Sequence, residues 1–197
     1  MRGAPHLLRI ARIALCLLVL PGASFLRAQE VQSPKIDVAV TFIAEDSLRS
    51  ATPDNFWMQG GSIELGTNTW RGLGIAANIS GTHTGAIGAT TIPLSIVTAT
   101  FGPRYRWHPD HRISIYCEGL IGEADGFKSL FPTITGAQTS ANSLAAQAGG
   151  GLDYRLSHHI AVRAVEAAWQ HTQLPNGTNN TQNDLRLGAG LILRFGH

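Results

Sequence analysis

Read at every second position, the stretch Leu185–Phe195 separates into two rows. Leu185, Leu187, Ala189, Leu191, Leu193 and Phe195 form one row; Arg186, Gly188, Gly190, Ile192 and Arg194 form the other. Period two marks an extended strand whose faces meet different surroundings. Seven further segments carry it: 35–44, 57–65, 72–81, 95–107, 112–122, 143–155 and, less regularly, 159–171. Ile36, Val38, Val40 and Phe42 share a side in the first, and Leu73, Ile75, Ala77 and Ile79 in the third. Alternation alone does not say which row faces the core. A soluble barrel turns its apolar row inward, whereas a membrane barrel turns it out to lipid and keeps the polar row inside.

The connections decide between the two. They span 45–56, 66–71, 82–94, 108–111, 123–142, 156–158 and 172–183, so long and short alternate throughout. Long external loops and short periplasmic turns give transmembrane barrels this rhythm. The long connections also have loop composition, as in EDSLRSATPDNF and TQLPNGTNNTQN. The polar rows are rich in Gly, Ser and Thr, as the tight interior of eight strands requires. The pattern predicts an all-β fold, an eight-stranded antiparallel up-and-down transmembrane β-barrel. Both termini and the turns 66–71, 108–111 and 156–158 are expected at one end, with the last strand's leucines facing lipid. In 159–171, Arg163 and Glu166 have opposite parity: either a bulge near Ala164–Val165 sends both inward, which is favoured, or Glu166 faces lipid, where a charge is costly.

Composition sharpens the compartment. Arg2, Arg9 and Arg12 precede an apolar run, Ile13–Leu20, and then Pro21-Gly22-Ala23-Ser24. That order is that of a secretory signal peptide, with an apolar run too short to span a bilayer as a helix. The reading is a leader over 1–28 and a barrel domain over 29–197, with Ala23 or Ser24 as alternative cleavage points. The leader carries four arginines and no acid, so the formal net charge of +2 becomes −2 once it is removed. Nucleic-acid binding then loses its bulk support. Cys16 leaves with the leader, so Cys117 has no partner for an intramolecular disulfide. Charged residues are only 14% of the chain, with 22 glycines, and 72–103 and 129–152 contain none of Asp, Glu, Lys or Arg. Gly, Thr, Ser and Pro interrupt both stretches, so neither is a membrane helix.

The inward charges are the main candidate chemistry. Asp37, Glu64, Glu118 and Asp153 can oppose Arg104, Arg106, Arg155, Arg163 and Arg194, since charges in a confined interior need partners. They form either a plug of ion pairs that closes the barrel or the lining of a narrow selective pore. Asp153 and Arg163 lie equally far from His158, which predicts that they face each other across a hairpin. His108 and His111 flank Asp110, and His158 adjoins His159, but turn histidines at this spacing are not a recognised metal set. Gly72, Gly74 and Ala77 fit a dinucleotide fingerprint in a segment that reads as strand, so the context fails. Asn176-Gly177-Thr178 and Asn179-Asn180-Thr181 match glycosylation acceptors, and equally suit a flexible loop. Trp57, Trp70, Tyr105, Trp107, Tyr154 and Trp169 fall near strand ends, as interfacial aromatic girdles do.

Three stretches carry a family likeness: TATFGPRYRW, EGLIGEADGFKSLFP, and AGGGLDYRLSHHIAVR with its continuation through QLPNGTNN to LRF. In them the chain resembles the small bacterial outer-membrane β-barrel family, of the outer membrane protein A membrane-domain and porin-like type. Gly190, Leu193 and Phe195 resemble the assembly signal of such barrels. The resemblance implies location in the bacterial outer membrane, no catalytic residues and no cofactor. It implies contact with outer-membrane lipid and the barrel insertion machinery, and a monomer with no nucleic-acid partner. The expected function is a structural or passive-transport outer-membrane barrel with long external loops and a charge-filled interior. Two rivals stay open. One is an outer-membrane lipid-modifying enzyme, using His83 with Glu45 or Asp125. The other is a secreted soluble barrel binding an apolar ligand.

Overall fold

The computed structural model describes residues 35–49, 55–134, 136–177 and 179–196. The leader reading therefore lies outside the described residues. Eight strands follow one another: β1 Lys35–Arg49, β2 Trp57–Asn68, β3 Leu73–Thr84, β4 Leu94–Trp107, β5 Ile113–Thr133, β6 Gly136–Arg155, β7 Ile160–Thr172 and β8 Gln182–Phe195. Each pairs antiparallel with its sequence neighbour, and β8 returns to β1 to close the barrel. Closure leaves no edge in the wall, as an apolar surrounding demands, since unpaired backbone groups there are costly.

The two rows of the last strand take opposite sides. Leu187, Leu191, Leu193 and Phe195 are exposed on the outer wall, while Arg186 and Ile192 are fully buried inside. Val40, Phe42, Ile63, Ile75, Phe101 and Ile121 extend the outer apolar band around the barrel. Cys117 belongs to this band, exposed on β5 opposite Gly150 of β6. Trp70, Tyr105 and Trp107 ring the wall near the end where the chain starts, and Trp57 and Trp169 near the other.

Short turns join strands at the end where β1 begins, the end expected from the sequence to be periplasmic. Between β2 and β3, Arg71 and Gly72 both have positive φ, 49° and 87°, and Trp70 and Leu73 exchange backbone hydrogen bonds across them. This is the mirror-image two-residue turn whose twist suits a hairpin. Between β6 and β7, the Leu156 and Ser157 amides both donate to the Ile160 carbonyl. The expected bulge is present in β7. Register slips against β6 between Leu152 and Asp153, and against β8 between Arg163 and Glu166 of β7 itself, leaving Ala164 and Val165 both outward. The extra residue restores inward parity to Glu166, which is 1% exposed beside a fully buried Arg163.

One connection differs from expectation. The span 123–142, read as a long loop, is mostly strand: β5 runs to Thr133 and β6 starts at Gly136. A shift between Phe127 and Phe131, with Lys128 at φ 59°, turns Ser129 and Phe131 inward. β4 pairs with β5 only as far as Phe127, and β7 with β6 only as far as Ala145. The hairpin therefore rises above the rim of the barrel. Two further outer connections, 85–93 and the described part of 173–181, are loops.

Candidate functional site in the barrel interior

The inward row of each strand delivers its charges to one level of the lumen. Asp37 comes from β1, Glu64 from β2, Arg104 and Arg106 from β4, Asp153 from β6 and Arg163 from β7. Arg104 reaches Asp37 at 3.0 Å and Glu64 at 2.7 Å. Arg106 lies 2.8 Å from Asp37 and 3.0 Å from Asp153, close ion pairs whose angles fall outside hydrogen-bonding range. Arg163 closes the circuit, 3.3 Å from Asp153 and 3.0 Å from Glu64. These residues form a ring of alternating charge across the barrel. All six side chains are 3% exposed or less.

Tyr116 of β5 sits within that ring. Its aromatic face lies 4.4 Å from the Arg163 guanidinium carbon and 5.9 Å from those of Arg104 and Arg106. Cation–π attraction of this kind is strongest where water is excluded. The Tyr116 hydroxyl donates to Glu166 at 3.2 Å, and Glu166 also pairs with Arg163 at 2.8 Å and Arg186 at 3.1 Å. Two glycines make the space. A Cβ on Gly66 would fall 1.9 Å from the Arg104 guanidinium, and one on Gly151 would fall 2.8 Å from the Tyr116 ring.

Not every anticipated charge joins. Glu118 is buried and is Arg104's register partner, yet Arg104 turns to Asp37 and Glu64, leaving one Glu118 oxygen without a hydrogen bond. Arg155 makes none of these ion pairs and lines the periplasmic mouth beside His158. Its expected opposition to an interior acid is corrected accordingly: at its end of β6 the side chain reaches the mouth rather than the ring. Arg194 is peripheral, 3.7 Å from Asp37 and 3.9 Å from Asp153. Asp153 and Arg163 are direct register partners, as symmetry about His158 requires.

Tyr116, Glu166 and Arg186 are interior residues that the list of charge pairs omitted, although inward parity marks all three once the bulge is admitted. Farther out lie Glu45 and Asp184, also buried, with Gln170 donating to Glu45 at 3.3 Å. Continuing the alternation of β1 past Ala44 would have found Glu45. At the outer wall, His83 Nδ1 and Ser95 Oγ are 2.9 Å apart. Neither acid proposed for a triad is shown paired with His83: Glu45 is buried inside the barrel, and Asp125 accepts from Asn142 at 3.0 Å. At the periplasmic end, His108 and His111 have ring centres 4.6 Å apart, and Trp107 Nε1 donates to His108 Nε2 at 3.0 Å.

A family model for an outer membrane protein beta-barrel domain matches residues 13–195. The fold is similar to that of Neisserial surface protein A (NspA), at TM-score 0.59 and 14% identity, covering 81% of this chain and 97% of that one. It is also similar to Ail, the attachment invasion locus protein of Yersinia pestis, at TM-score 0.56 and 13% identity over 82% of this chain and 98% of that one. OprG of Pseudomonas aeruginosa aligns at TM-score 0.55 and 9% identity, over 84% and 98% respectively. No curated protein matches the sequence.

Proposed function

This chain belongs to the outer membrane protein β-barrel domain family, and from that premise we propose that it is a sealed structural barrel rather than an open pore or an enzyme. It is a protein of the bacterial outer membrane whose apolar band meets lipid. One observation carries the reading: the alternating ring that links β1, β2, β4, β6 and β7 across the lumen around Tyr116. Three guanidinium groups, three carboxylates and an aromatic ring fill the section that a permeating ion would have to cross.

The six charges of the ring are paired with one another, so the ring itself offers an ion no vacant counter-charge. Displacing one member strands its partners in a low-dielectric lumen, which costs about 3–5 kcal/mol. The barrel acts as a monomer, delivered by the insertion machinery with Gly190, Leu193 and Phe195 of β8 as its assembly signal. Its outer connections, among them 85–93, the β5–β6 hairpin and the described part of 173–181, are the surfaces presented to the exterior. Planar-bilayer recording tests the seal. The wild-type chain is expected to give no conductance steps, and Glu64→Ala combined with Arg163→Ala to give small ones. Steady conductance by the wild type would overturn the proposal.

A further inference from the structure

We propose that the outer mouth of the barrel is a binding site for a small uncharged aliphatic molecule, such as a medium-chain alcohol, arriving from the exterior. Above the charged ring the inward row changes character. Met58, Leu94, Ile96, Phe131 and Leu174 point into the lumen and are buried there. Ile87 and Phe56 pack on this cluster from the outer connections. Inward apolar residues are the reverse of what a water-facing barrel mouth requires, so the cluster needs an explanation.

Anchoring the loops explains part of it, but not the space left over. A cavity of about 200 Å³ remains between the loop 85–93, the hairpin residues Ser129–Pro132 and the segment Leu174–Asn176. The cavity is partly open, so a ligand can enter it, and its apolar lining favours the transfer of small apolar molecules out of water. This cavity is smaller than the ~300–1,000 Å³ of sites for drug-sized ligands, which restricts it to a short chain.

Its walls are held ready. Gln182 donates to the Leu174 carbonyl at 2.8 Å and accepts from Thr172 at 3.2 Å, clamping Leu174 inward. Asn176 Oδ1 accepts from the Asn179 and Asn180 amides, closing the loop behind it. In the opposite loop, Thr90 donates to the Ile87 carbonyl through both its hydroxyl and its amide, which presents Ile87 and Ile92 to the cavity. Pre-ordered walls reduce the entropy that binding must offset.

Ligand class follows from the lining, which among the described residues contains no Asp, Glu, Lys, Arg or His. A charged ligand would lose its hydration with no counter-charge in return. Ser129 is the buried hydroxyl of the wall, suited to one neutral polar head. Below lie the buried Glu45 and Gln170 and then the arginine ring, so entry is from outside.

The test uses the folded full-length mature chain in nanodiscs of dimyristoyl phosphatidylcholine, with 1-octanol as probe and methyl NMR as readout. Saturable shifts are expected at Met58, Ile92, Ile96 and Leu174, while the lipid-facing Ile63 and Ile79 move only in proportion to alcohol in the bilayer. Ser129→Leu, which fills the cavity, should weaken octanol binding at least tenfold, and octanoate at neutral pH should bind at least tenfold more weakly than octanol. Should Ser129→Leu fail to fold, Ile92→Trp fills the same space from the loop. The proposal is overturned if the four methyls merely track Ile63 and Ile79, if a folded filling variant binds like wild type, or if octanoate equals octanol. Contacts from those methyls to phospholipid chains, unchanged by octanol, would assign the cavity to a lipid tail and overturn it as well.

Discussion

Toward the periplasmic end the lumen is packed with guanidinium and carboxylate groups, while toward the exterior the same inward rows carry Met58, Leu94, Ile96 and Phe131. The two regions share strands and antiparallel pairing, and differ in what fills them. In the inner region the strands largely separate polar from apolar, because one face meets lipid and the other meets charge, with Ile192 of β8 an inward apolar exception packed on Ala39 and Ala161. In the outer region that contrast fades. β4 begins Leu94-Ser95-Ile96-Val97 with apolar residues on both sides, and the β5–β6 hairpin rises beyond the rim with neither face toward lipid.

Sequence alternation therefore records two different surroundings, not the strand itself. Where both surroundings exist, the sequence is legible down to single residues. The bulge at Ala164–Val165 follows from the parity of Arg163 and Glu166, and the Asp153–Arg163 register follows from the position of His158. Where one surrounding is missing, strand reads as loop, as over 123–142. Pairing preferences inside the ring were also hidden. Parity shows that Glu118 points inward, but whether Arg104 chooses it over Asp37 and Glu64 depends on distances across the lumen that no single strand encodes.

The largest effect should come from breaking the inner region at its hub. Glu64→Ala leaves Arg104 and Arg163 each short of a carboxylate, at a cost of about 3–5 kcal/mol. Urea unfolding in vesicles would measure it, and a loss under 1 kcal/mol would show the ring to be dispensable. Next comes the contrast between the wall's two faces. Leu191→Arg puts charge on the lipid side of β8 and should cost about 2–4 kcal/mol if near mid-membrane, whereas the native Arg186 and Arg194 of the same strand face inward. Wild-type folding yield for that variant would contradict the assigned orientation. The smallest effect is the coupling of Asp153 to Arg163. Arg163 retains Glu64 and Glu166 when Asp153 is removed, so a double-mutant cycle with alanine should show a coupling of about 1 kcal/mol rather than the full value of an isolated pair. Strict additivity in that cycle would mean that the two charges do not sense one another.

The contact between Arg163 and Glu64 spans 99 residues of chain. Neither local hairpin formation nor the pairing of neighbouring strands brings those two groups together; only the meeting of β8 with β1 does. Their attraction is thus withheld until the circle is complete, after most of the loop-closure entropy has been lost. Interactions formed this late slow unfolding far more than they speed folding. The Arg163–Glu64 pair thereby acts as a one-way catch on the finished barrel, adding to its lifetime in the membrane rather than to the speed of its assembly.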